Sequence, residues 1–543
     1  MNPVKHDTDS SRSGSAPRRK RGIWGWIAIT LLFAVIVIAA TAEWMMHRAE
    51  PILRGRIVET LSTHFDSRVE MDALHVSVLK GLEVSGDGLR IFPTDDVVAA
   101  GAKDPLIRLQ HFAFHANLLG LFLKPMHVGT VKVKGMTISI PPREMRQQAA
   151  KRQRHTGKIK IVVDQIDCDD SRLIIGTLKP NKDPKNFELQ HIVMHNIGPN
   201  GPWRYDATLV NAVPRGDIHA VGTFGPWVNE SPGDSAVTGK YTFDHADLNT
   251  IKGIAGILSS TGDFRGQLNR IEVDGATKTP DFSLDTANHP MNLETKFSAI
   301  VDGTSGDTYL QQVQARLGQT DFTCAGAIIN IKSKGHKIDL NVDVPNGRIQ
   351  DFLQLAVKTQ PAIMTGRLGM KTKLEIRPGK ESVTQKLDLK GGFSLRSIHF
   401  INPEWQDKVD MLSLRARGEA KLAKPGAQDV SSQMNGRFGM GAGKLHFESL
   451  TYALPGADIA LAGVYSLDGN ELDFEGTVRT KAALSNMVAT WWKSWLLKPV
   501  DPFFKKHGAG AEIPFKVSGS RGSPKFGLAL KRKDKDKDKQ GEE

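Results

Sequence analysis

The stretch PGADIALAGVY, residues 455–465, decides how this chain is read, and two others echo it: PRGDIHAVGTF at 214–224 and GQTDFTCAGAI at 318–328. Each runs through a small residue and an Asp, then an apolar residue at every second position, then Gly and one more apolar residue. Alternation of this kind marks a strand with one apolar face and one wet face. It sends Ile218, Phe322 and Ile459 to one face, together with Ala220, Cys324 and Leu461. Gly222, Gly326 and Gly463 share that parity, and glycine inside a strand marks a bend or a close approach. A face thinned by Gly at intervals can curl into a trough. No catalytic constellation sits in the phrase, so it builds wall rather than chemistry.

The surroundings repeat as well. PGADIALAGVYSL leads to ELDFEGTV and TKAALSNMV; GQTDFTCAGAI leads to KIDLNVDV and NGRIQDFLQL; PRGDIHAVGTF leads to SAVTGKYTFD and HADLNTIKGI. Counted from Asp217, Asp321 and Asp458, a helical element is expected after about thirty residues each time. Three related strand–turn–strand–helix units are therefore expected near 214–256, 318–357 and 455–489, stacked as an array. Period-two runs such as Val69, Met71, Ala73 and Met136, Ile138, Ile140 continue the pattern over 67–530. The expected fold is mainly β: an N-terminal transmembrane helix, then one long antiparallel sheet, or a few such sheets, able to curl into a trough, with a few short helices.

One segment has the length of a membrane span. Ile23–Ala42 is twenty residues without a charge, about 30 Å as a helix. Trp24, Trp26 and Trp44 stand near its ends, where amphipathic rings settle. Lys5, Arg12, Arg18, Arg19, Lys20 and Arg21 precede it against Asp7 and Asp9, so residues 1–22 read as a disordered cytoplasmic tail and the bulk lies beyond the membrane. A cleaved signal peptide competes, because Ala40-Thr41-Ala42 has the small-x-small form, although the apolar run is longer than the usual leader. Residues 43–66 read as an amphipathic helix carrying Leu53, Ile57 and Leu61 at every fourth position.

A net charge of +13 invites a nucleic-acid reading, but an exported chain whose basic residues are not grouped with aromatics argues against it. Cys168 and Cys324 are the only cysteines; Cys324 occupies an apolar slot, and a single disulfide stays open as an alternative. GMGAGK at 439–444 fails as a phosphate loop, with Phe438 and Leu445 where Gly and Ser or Thr are required. HFAFH at 111–115 and HIVMH at 191–195 have the ligand spacing of a helix but the alternation of strands, so solvated histidines are expected. DQIDCDD at 164–170 reads as an acidic turn open to Ca²⁺ but without EF-hand spacing, and a solvated loop is expected there. No metal and no cofactor are expected.

Two basic segments point at membranes. PPREMRQQAAKRQRHTGKIK at 141–160 reads as an exposed connector, or as a headgroup contact through Arg143, Arg146, Lys151 and Arg152. In WWKSWLLKPVDPFFKK at 491–506, Trp491, Trp492, Trp495, Phe503 and Phe504 are interleaved with lysines, as in interfacial helices. The competing reading is a helix that closes one end of the groove. Residues 531–543 balance their charges and read as a disordered tail.

Both ends of the chain resemble the AsmA family of envelope proteins. The likeness lies in EPILRGRIVETLSTHFDSRVEMDALHVSVLKGLEVSGDGLRIF at 50–92 behind the single anchor, in GRFGMGAGKLHFESLTYALPGADIALAGVYSL at 436–467, and in IPFKVSGSRGSPKFGLAL at 513–530. The resemblance implies a long, twisted, half-open antiparallel repeating β-groove of the lipid-transfer type, anchored in an inner membrane and lying in the periplasm. It implies membrane phospholipids as cargo, an envelope protein as a further partner at the outer-membrane end, and no catalytic residue. The alternative from another class is an assembly or scaffolding factor that holds outer-membrane proteins at its sheet edges.

Overall fold

A computed structural model describes most of residues 67–528 and parts of the stretch 32–62. Residues 1–31, 78–81, 117–125, 143–160, 177–183, 489–509 and 529–543, with some shorter gaps, lie outside the described residues. The chain is mainly β: among the described residues, 26 strands join in one long sheet. Most neighbours in sequence are also neighbours in the sheet and run antiparallel, linked by tight turns such as Leu268-Asn269 and Gly318-Gln319.

The sheet is mixed, which corrects the all-antiparallel expectation. Strands Met126–Lys134 and Thr137–Ile140 both pair in parallel with Ile161–Ile175. Parallel neighbours need a crossover of a dozen residues or more, and the basic stretch between Ile140 and Ile161 supplies it. DQIDCDD is corrected too: it lies within the strand Ile161–Ile175 rather than in a turn or loop. Ile166 and Cys168 keep the apolar period there, while Asp167 and Asp169 project to the wet side.

Several helical connections leave the sheet along one rim, while residues 225–235 and 377–386 connect strands at the other. The short helical elements Leu248–Thr250, Ile349–Ala356 and Leu484–Met487 each follow a strand that ends there, as does the helix Pro403–Ala416. Asn402 caps that last helix by accepting from Glu404 N, with Pro403 in its first turn. Facing these elements, the residue before the Asp of each repeated phrase is buried: Gly216, Thr320 and Ala457. Its smallness has a local cause in each case. Ala457 packs with Ala416 and Leu454, and a side chain on Gly216 would meet the Ala246 backbone.

At Thr320 the hydroxyl does the joining. It donates to Asp351 Oδ2 of the Ile349–Ala356 helix at 2.7 Å and accepts from Arg348 N at 2.9 Å. Asp351 is itself buried, so removing this donor leaves its carboxylate only the longer bond from Gln319 N at 3.3 Å. Thr320→Val is expected to lower stability by about 1–3 kcal/mol, read as a urea midpoint below that of Thr323→Val on the exposed face of the same strand.

At the N-terminal end, Ile57, Val58 and Leu61 of the helical stretch pack on a core of Val69, Met71, Leu74, Leu89, Phe112 and Cys168. Residues 32–37 and 40 are also helical, with Leu32 and Phe33 exposed. Among the described residues no helix is long and apolar enough to cross a membrane; the span read at Ile23–Ala42 falls mostly outside them.

Candidate functional site

Cross-strand register joins the apolar faces of successive strands into a single row. It begins with Leu74, Gly86, Phe112 and Val133. Cys168, Ile192, Ala207 and Ala220 continue it, followed by Tyr241, Gly262, Gly275, Phe297, Val313 and Cys324. Val342, Thr372, Gly391, Phe438 and Phe447 carry it on. Gly463, Phe474, Val517 and Phe526 complete it. No charge interrupts the row. Its two hydroxyls are accounted for: Tyr241 shares a hydrogen with Ser260 at 3.0 Å, and Thr372 donates to Lys390 O at 3.1 Å. At about 4.8 Å per strand it runs on the order of 100 Å along the sheet.

Exposure changes along this line. Leu74, Phe112, Val133 and Cys168 are buried under the N-terminal helical stretch. Further on, Phe297, Cys324, Phe438, Phe447 and Phe474 are only half-buried. Phe447 contacts Phe393 and Phe474 with ring centroids 6.5 and 5.9 Å apart, so an aromatic strip runs across neighbouring strands. Of the residues read from the repeated phrases, Ala220 and Cys324 stand in the row itself. Ile218, Phe322, Ile459 and Leu461 lie beside it on the same face of their strands.

The glycines of that face do something other than thin it. A Cβ on Gly222, Gly326 or Gly463 would collide with a carbonyl oxygen of the following strand, that of Thr238, Asp339 or Asp473 respectively. All three phrases thus use Gly where two backbones close in. At Gly463, and at Gly275 elsewhere in the row, a neighbour's ring covers the bare patch: an added Cβ would stand 2.8 Å from Phe474 and 2.8 Å from Phe297 respectively.

Cys168 and Cys324 are both free. They stand nine strand-to-strand steps apart in the same row, far beyond the Cα separation a disulfide can bridge. Burial, with Asp167 and Asp169 close by, pushes the Cys168 thiol up to about 12, so it behaves as a small apolar side chain.

The opposite face is laced with ion pairs. Arg316 grips Asp321 through two bonds of 2.6 and 3.0 Å, Lys371 meets Asp343 at 3.1 Å, and Lys373 meets Asp339 at 3.2 Å. Exposed pairs of this kind add little stability each and mainly keep the face wet. The HFAFH and HIVMH histidines belong to this face. His111 bonds Asp87 at 2.7 Å, and His191 bonds Asp169 at 2.7 Å with Asp167 at 3.6 Å. The bond to Asp169 raises the His191 imidazole above its ordinary value, so the contribution of this pair is present at low pH and fades as pH rises through the raised value.

Asp167, Asp169 and His191 thus meet within 4.8 Å of one another, a grouping that spacing along the chain hides because its members come from two strands. Arg143, Arg146, Lys151 and Arg152, read as headgroup contacts, lie outside the described residues. So do Trp491, Trp492, Trp495, Phe503 and Phe504, read as a membrane-interface group. Comparison with protein-family models, with curated proteins and with solved structures finds no match to this chain.

Proposed function

We propose that this chain is an AsmA-type envelope protein that carries the acyl chains of phospholipids along its apolar face between an inner and an outer membrane. In this reading Ile23–Ala42 anchors it in the inner membrane, the N-terminus is cytoplasmic, and the sheet lies in the periplasm as a half-open groove. The observation that carries the proposal is the unbroken apolar row, half-open over much of its course and free of charge from Leu74 to Phe526.

The physical logic needs no catalyst. A phospholipid leaving a bilayer exposes two acyl chains to water at a cost of about 0.8 kcal/mol per methylene. Half-buried rings and aliphatic groups offer those methylenes apolar contacts at every strand, while the headgroup stays in solvent. Because each step along the row resembles the last, no single site traps the chain.

Mass spectrometry of the purified full-length chain provides the test. Co-purifying phospholipid, released on denaturation and present at about one molecule per chain or more, is the expected result. Unfolded outer-membrane polypeptide in its place would favour an assembly factor that holds clients at the sheet edges. Recovery of neither would count against both readings.

A further inference from the structure

We propose that Asp167, Asp169 and His191 form a binding site for a divalent first-row transition cation of the Zn²⁺ class, on the wet face of the sheet. The site is independent of whatever the apolar face carries.

Strand geometry assembles the ligands. Asp167 and Asp169 are two residues apart on the strand Ile161–Ile175 and so project to the same side. His191 stands directly opposite Asp169 on the antiparallel neighbour Lys185–Ile197. Two carboxylates and one imidazole leave positions open for water, the ligand set of a labile or regulatory site. Imidazole selects for Zn²⁺, Cu²⁺ or Ni²⁺ over Mg²⁺ and Ca²⁺, which take oxygen alone.

A second observation points the same way. Asp167 Oδ1 is shut off from solvent and has no hydrogen-bond partner, its only counter-group among the described residues being His191 Nδ1 at 3.6 Å, although the side chain as a whole is 27% exposed. An oxygen held away from water with no donor in bonding range is left unsatisfied, and a cation between it and the imidazole would satisfy it. Tetrahedral ligands at 2.0–2.2 Å from the metal lie about 3.3–3.6 Å apart, the separation found here. The 2.7 Å bond between His191 and Asp169 must open by under an ångström when a cation replaces the shared proton. Both side chains are about half exposed and can make that adjustment. Asp206 adds negative potential but is engaged by His219 at 2.7 Å. Lys132 and Lys134 stand opposite Asp167 and Asp169 on the parallel neighbour, so recognition depends on the ligand atoms rather than on a large negative field.

The test uses full-length protein in detergent, stripped with a chelator and titrated with Zn²⁺ against a chromophoric competitor. Wild type is expected to bind one equivalent that Asp167→Asn and His191→Gln bind at least about tenfold more weakly, since even loss of an outer-shell partner costs that much. His111→Gln breaks a pair with one carboxylate and should bind like wild type. Zn²⁺ should raise the melting temperature of wild type and His111→Gln alone, and Mg²⁺ should not compete. Equal affinity in wild type and His191→Gln would overturn the proposal, as would an equal loss in His111→Gln.

Discussion

Replacing Ile459 and Leu461 together by Asp is expected to abolish lipid loading in a protein that is less stable than wild type but still folded. Both side chains sit on the apolar face of the strand Ala457–Ser466, and both are only half-buried. A carboxylate there keeps some water contact in the empty protein, but Ile459 also packs against the Ala416, Leu454 and Ala457 cluster, so the double change costs stability as well. Once an acyl chain covers the strand, each carboxylate must be desolvated without a partner, at a cost of several kcal/mol. Two such barriers on adjacent positions outweigh the roughly 0.8 kcal/mol that each methylene gains by leaving water. The expected readout is loss of bound phospholipid, and failure to restore a deletion strain, under conditions well below the variant's own, lowered urea midpoint. Ala460→Asp on the same strand points to the wet face and should load normally. If the double variant loads as well as Ala460→Asp, the apolar face is not the working surface.

The second large effect is on folding. Gly222→Ala, Gly326→Ala and Gly463→Ala are each expected to destabilise the protein by about 1–3 kcal/mol or more, because the new methyl overlaps a backbone carbonyl that cannot swing aside. Gly326 adds backbone strain, since its φ of +154° is one that side-chain-bearing residues rarely adopt. Gly439→Ala is the control. It lies in the strand Ser432–Gly441, where the nearest atom to an added Cβ is Leu389 O at 3.7 Å, and the change should be neutral or gain about 0.4–1 kcal/mol. Urea or thermal midpoints measure all four. A midpoint for Gly463→Ala equal to that of Gly439→Ala would show that the close approach is not a constraint.

Much of the architecture was legible because strand alternation is a local property. The period-two runs around Ile218, Phe322 and Ile459 place one face against water and the other away from it, whatever the neighbours are. Short helical elements stand at Leu248, Ile349 and Leu484, about where spacing from the three aspartates put them. Two local readings failed for non-local reasons. DQIDCDD was read as a turn because acids crowd it, yet pairing on both flanks holds it in a strand. The parallel pairing of Thr137–Ile140 with Ile161–Ile175 could not be read, because orientation depends on where a twenty-residue connection returns.

By itself, the sequence determined which residues are apolar on which strand, where the chain breaks between strands, and that Gly recurs in three equivalent phrases. Those are consequences of side-chain chemistry and of a backbone that repeats every two residues. Only the tertiary structure decided that Cys168, Cys324 and Phe474 fall in one line, that a ring lies over Gly463, and that His191 meets two aspartates from another strand. Register between strands sets these neighbours. Register is a property of hydrogen bonds between distant segments, and it cannot be read from either segment alone.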